Sequence, residues 1–153
     1  MKQTPNTYEK DCWSRNVICV GIDEAGRGPI AGPLVVAGVV FPAGYESGEI
    51  YDSKGITEKK REELFERIRK DAVWYHIEIV TPEIIDKYNI YRATQMTMEK
   101  IAADAPCEEV LTDAMPLPAV EKTVTPLVKG DQLSCSIAAG SILAKVTRDR
   151  IMK

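Results

Sequence analysis

The stretch Val17-Ile18-Cys19-Val20-Gly21-Ile22-Asp23-Glu24-Ala25-Gly26-Arg27-Gly28-Pro29 decides the fold. Six nearly continuous apolar residues, 17–22, mark a central strand of a sheet covered on both faces. Two adjacent acids stand at its end. Carboxylates beside an apolar strand are expensive unless a cation compensates them. The alternative is a surface pair that merely caps the strand. Strict alternation sends Asp23 and Glu24 to opposite faces, so joint metal binding needs a frayed or twisted strand end, which Gly26 permits. The glycines and Arg27 suit an anion. Metal-binding acids beside phosphate donors point to phosphodiester chemistry.

Gly26-Arg27-Gly28-Pro29-Ile30-Ala31 also fits the G-x-G-x-x-A pattern of dinucleotide sites. That pattern requires a helix next. Here Pro29, Gly32 and Pro33 lead instead into the β-branched run Leu34–Phe41, a second strand antiparallel to the first. Two acids would also repel a pyrophosphate, so the cofactor reading falls.

Working outward, a loop runs from Pro42 through Asp52-Ser53-Lys54-Gly55. Thr57 is the expected N-cap of a helix with Ile56, Leu64, Phe65 and Ile68 buried, and Lys60 stands at the capping-box position. Strand 73–80, a short helix from Pro82, and helix 90–103 with Met96 and Ile101 inward come next. Strands 109–113 and 122–128 precede a long C-terminal helix from Lys129-Gly130-Asp131. This order implies an α/β fold, a mixed sheet with helices on its faces.

The second strand-end acid is Asp113, on a strand expected to run alongside the first. On the last helix Asp131, Ser134, Ala138, Ser141 and Lys145 recur at steps of three and four and share one face. A solvated stripe is the plain alternative. Asp23, Glu24, Asp113 and Asp131 together form a four-carboxylate set, unstable without cations. Oxygen-only ligands suit Mg²⁺ or Mn²⁺ rather than zinc.

The remaining composition is ordinary. The chain has 153 residues, 44% hydrophobic and 28% charged, enough for one domain with its own core. A net charge of −3 gives no global attraction to nucleic acid, so contact must come from a local basic patch or bound ions. The single histidine, His76, excludes a multi-histidine metal site and reads as a packed or solvated strand residue. Cys12, Cys19, Cys107 and Cys135 lack C-x-x-C spacing and read as reduced, packed thiols. No apolar run approaches a membrane span and 1–5 lacks a signal-peptide core, so a cytoplasmic protein without membrane contact is expected. Asp149, in Thr147-Arg148-Asp149-Arg150, reads as a helix-surface ion pair.

The chain resembles type 2 ribonuclease H (ribonuclease HII). GIDEAGRGPIAGP at 21–33, DSKGITEKKREELF at 52–65, LTDAM at 111–115 and KGDQLSCSIAAGSILAKVTRDRIM at 129–152 carry the resemblance, in the family's order. It implies a ribonuclease-H-like, mixed five-stranded sheet flanked by helices. It also implies endonucleolytic cleavage of the RNA strand in RNA–DNA hybrids and at ribonucleotides embedded in duplex DNA, with a place in DNA replication and repair. Two ions, Mn²⁺ or Mg²⁺, would be held by Asp23, Glu24, Asp113 and Asp131, leaving 5′-phosphate and 3′-hydroxyl ends. Gly26, Arg27 and Gly28 would read the ribose 2′-hydroxyl, and Lys54, Ser141 and Lys145 would contact the backbone. The expected organisation is a single catalytic domain, 1–153, acting as a monomer. It would be truncated, without the family's C-terminal helical region and junction tyrosine. A catalytically weak or inactive nucleic-acid-binding remnant is the alternative.

Overall fold

The computed structural model describes residues 6–26, 32–48, 50 and 56–153. Along the chain run α1 (Thr7–Ser14), β1 (Cys19–Ala25), β2 (Leu34–Val40), α2 (Glu58–Asp71), β3 (Trp74–Val80), α3 (Pro82–Tyr88), α4 (Ile90–Asp104), β4 (Glu109–Asp113), β5 (Thr123–Leu127), α5 (Gly130–Leu133) and α6 (Cys135–Met152). The five strands form one sheet in the order β3-β2-β1-β4-β5. β1 is antiparallel to β2 and parallel to β4, and β5 is parallel to β4. This is the mixed, helix-flanked sheet that the sequence implies.

Alternation along the strands builds two apolar layers. Val20, Ile22, Leu34, Val36, Val40 and Val110 face α4, packing against Ala93, Met98, Ile101 and Ala102. Val35, Ala37 and Val39 face the opposite way, toward α2 and α6, against Leu64, Phe65, Ile68, Ala138, Ala139 and Ile142. Cys19 and Leu111 share that second side with Cys12 of α1 and Ile137 of α6. By the same alternation, Gly21, Asp23 and Asp113 also look toward α6.

α6 approaches β1 at backbone distance. A Cβ at Gly21 would stand 2.3 Å from the Ser136 carbonyl carbon, and one at Gly140 would stand 2.9 Å from the Ala37 oxygen. Glycine at these two points lets helix and strand touch.

Two expectations need correction, and two features add to the reading. The acids stand near the end of β1, whose antiparallel ladder continues through Asp23↔Ala37, Glu24↔Val36 and Ala25↔Val35. The parallel ladder with β4 is paired only to Ile22↔Thr112. The pair therefore sits inside the ladder on one side and beyond it on the other. In α4, Met98 is fully buried, whereas Met96 is only half-buried and lines a groove beside β3. The C-terminal helix is two helices, because Ser134 adopts an extended conformation (φ −136°, ψ 124°) and caps α6 through its side chain. α1 is an element that the sequence pattern does not announce. Thr57 does cap α2, accepting from Lys60 N, above buried Ile56, Leu64, Phe65 and Ile68. All four cysteines are free and buried. Among the described residues no helix is long and apolar enough to cross a membrane.

Candidate active site

Three acids meet where β1 and β4 end and α5 begins. Continuing the Ile22↔Thr112 register by one residue sets Asp23 beside Asp113 on the α6 face. A tight connection then brings Asp131 over them: Gly130 N–H donates to Asp113 Oδ1 at 3.1 Å, and Ala114 N–H to Leu127 O at 3.0 Å. Two non-glycine residues take left-handed conformations to make this turn, Ala114 (φ 59°) and Lys129 (φ 57°). The result is one carboxylate oxygen each from Asp23, Asp113 and Asp131, all within 4.8 Å of one another.

Asp23 and Asp131 are almost wholly buried (5% and 4% exposed) and Asp113 is half-buried. Burial above all holds the Asp23 carboxyl well above the ordinary carboxylate range. The charge and hydrogen bond of Glu24 and the charge of Asp113 add to that shift, while the Glu24 backbone N–H, 2.8 Å from Asp23 Oδ1, opposes it. A divalent cation reverses this balance. The donors fit one: octahedral Mg²⁺ holds oxygens about 2.1 Å from itself, hence roughly 3–4 Å from each other. The set is also all oxygen, as a hard ion prefers.

Glu24 is not among the three that converge. Its carboxylate is nevertheless within hydrogen-bond reach of the Asp23 side chain, and its charge adds to the upward shift of Asp23. It lines a cleft of about 170 Å³ together with Ala25, Gly26, Lys145, Arg148 and Asp149. Lys145 is exposed there, while Ser141 is buried on α6, so only part of the expected stripe meets solvent. Gly26 has φ +107°, and a Cβ on it would stand 2.6 Å from Arg148 Nε. That Nε–H donates to Pro33 O at 3.0 Å, tying α6 to the residue that precedes β2. Asp149 pairs with Arg61 Nη2 at 3.6 Å, as expected of a surface ion pair. Exposed His76 meets Glu78 Oε1 at 2.9 Å. Arg27, Gly28 and Lys54 lie outside the described residues.

The family model for ribonuclease HII matches residues 20–153. The chain belongs to the ribonuclease HII family. A ribonuclease HII of Clostridioides difficile is 47% identical over 154 residues, covering 98% of this chain and 60% of the relative. One from Listeria monocytogenes (strain F2365) is 46% identical, covering 95% and 57%. The chain thus spans under two thirds of the length of these family members. Among solved structures, ribonuclease H2 of Pyrococcus horikoshii superposes with a TM-score of 0.79 at 28% identity, covering 88% of this chain and 74% of that one.

Sequence reasoning missed Arg148, which stands beside Gly26 at this cleft. Arg148 was visible only as one cation among several in 147–150. Nothing in the sequence links it to Pro33, 115 positions earlier.

Proposed function

We propose that this chain is a metal-dependent endoribonuclease of the ribonuclease H type, hydrolysing the RNA strand of RNA–DNA hybrids and cutting at ribonucleotides embedded in duplex DNA. The observation that carries this is the convergence of Asp23, Asp113 and Asp131 within 4.8 Å, in a chain of the ribonuclease HII family. These three would hold Mn²⁺ or Mg²⁺, and Glu24 at the rim would help hold a second ion. Bound divalent ions supply activated water and stabilise the leaving 3′-oxygen, which gives 5′-phosphate and 3′-hydroxyl ends.

The residues themselves divide the remaining work. Asp23 and Asp131, buried, keep the negative charge that retains the ions away from bulk water. Gly26, followed by Arg27 and Gly28, would approach a ribose closely and read its 2′-hydroxyl, the group that separates RNA from DNA. Arg148, bonded to Pro33 O, stands beside Gly26, and Lys145 at the cleft offers a cation to the backbone. Arg27, Gly28, Lys54 and Ser141 complete the proposed substrate set. Residues 1–153 would act as one monomeric catalytic domain in the cytoplasm.

A duplex with a single embedded ribonucleotide tests the proposal, with Mn²⁺ and then with EDTA. Metal-dependent cutting at the ribonucleotide is the expected result. Binding without any metal-dependent cut would instead support a nucleic-acid-binding remnant.

A further inference from the structure

α1 lies before residue 20, outside the stretch that the family model matches. It nevertheless inserts a fully buried acid, Glu9, into the base of α6. Glu9 Oε2 accepts a hydrogen bond from Ser134 Oγ and another from Ser136 N at 3.0 Å. Ser134 is the joint between two helices. Its N–H donates to Gly130 O at 2.8 Å to close α5, and its Oγ accepts from Ile137 N at 3.2 Å to open α6.

Asp131 rides on α5, which has only four residues. One turn that short has no stability of its own, so its two ends dictate where the Asp131 carboxylate stands. Gly130, bonded to Asp113, fixes one end. Ser134, bonded to Glu9, fixes the other.

The acid is well placed for this. It sits at the N-terminus of the 18-residue α6, where the helix dipole favours negative charge. α1 is itself anchored to the sheet: Cys12 packs with Cys19, Leu111 and Ile137, and Arg15 pairs with Glu109 at the start of β4. Glu9 Oε1 is buried without a hydrogen-bond partner, a penalty the fold accepts in keeping Oε2 on the joint.

We infer that Glu9 is a positioning residue for the acid cluster, fixing Asp131 against Asp23 and Asp113 through the Ser134 joint between α5 and α6. This rests on the reading of that cluster as a divalent-metal centre.

Mn²⁺ titration by calorimetry tests it, at a temperature where circular dichroism shows each variant fully folded. Glu9→Ala should weaken Mn²⁺ binding about tenfold, in the range seen when the supports of metal ligands are removed. Glu9→Gln should restore wild-type affinity, because both bonds fall on one oxygen that an amide can replace. A merely structural Glu9 would give an alanine variant with a lower melting temperature and unchanged Mn²⁺ affinity, and that result would overturn the inference. If Glu9→Ala does not fold, Ser134→Ala takes its place: weakened Mn²⁺ binding is expected, and wild-type affinity overturns the inference. Should the wild-type protein bind no Mn²⁺, the metal-centre reading fails as well. Tight wild-type binding with no effect of the variants sinks only the role of Glu9.

Discussion

On one face of the sheet α6 meets β1 backbone to backbone, while on the other α4 approaches Gly38 of β2 with a side chain. Two strand glycines display the contrast. A Cβ at Gly21 would strike the Ser136 carbonyl carbon at 2.3 Å and the Ile137 nitrogen at 2.4 Å. One at Gly38 would meet Ile101 Cγ2 at 2.6 Å and Val20 Cγ2 at 3.2 Å. A single side chain can shift locally, whereas a helix backbone cannot do so without moving the whole helix. The acid cluster lies on the unyielding side. Carboxylates that share an ion, as proposed for these three, tolerate little displacement, and they lie on the face where secondary structures touch directly.

The largest effects should come from the cluster itself. Asp23→Asn should reduce cleavage of a ribonucleotide-containing duplex to the level seen with EDTA, measured by gel assay. It should also stabilise the metal-free protein. Because the folded-state pKa of Asp23 is raised, its favourable contribution is complete below the unfolded carboxylate value and is lost as pH rises through the folded value. Thermal melts in EDTA from roughly pH 4 to 8 should therefore show declining stability in the wild type and a flatter profile in Asp23→Asn. Mn²⁺ should recover the loss only in the wild type.

Next come the two glycines. Gly21→Ala should cost about 3 kcal/mol or more by urea denaturation, since α6 itself must move. Gly38→Ala should cost less, about 1–2 kcal/mol, because Ile101 can adjust. Equal costs would remove the distinction between the faces. Met98→Leu, a near-isosteric change under α4, should stay below about 1.5 kcal/mol and leave Mn²⁺ affinity untouched. The smallest effect belongs to the far end of α6. Lys153 pairs with Glu58 at the exposed surface, and Lys153→Ala should not measurably change the melting temperature.

Much of the α6 face was legible in the sequence. Acids ending two apolar strands and a third opening a helix were enough to gather Asp23, Asp113 and Asp131, because strand order and alternation leave those side chains little choice. Glu24 was harder. Strict alternation would part it from Asp23, yet the two carboxyl groups stay within hydrogen-bond reach at the end of β1, and only Asp23 joins the three converging oxygens. Ser134 fitted the spacing of a continuous helix, and only its extended backbone shows that it divides one. Met96 and Met98 lie two positions apart, and helical periodicity alone misassigned the buried one. Glu9 left no local trace. α1 is short and mostly polar, and the Glu9 contact that matters here reaches across 125 positions to Ser134.

The left-handed residues Ala114 and Lys129 bracket the connections that bring Asp113 and Asp131 together. A residue with a β-carbon carries about 1–2 kcal/mol of steric cost in that conformation. Introducing glycine at either position offers a direct route to a hardier protein. The same change would slacken the turn on which two carboxylates depend, so any gain in heat tolerance would trade against the proposed metal binding.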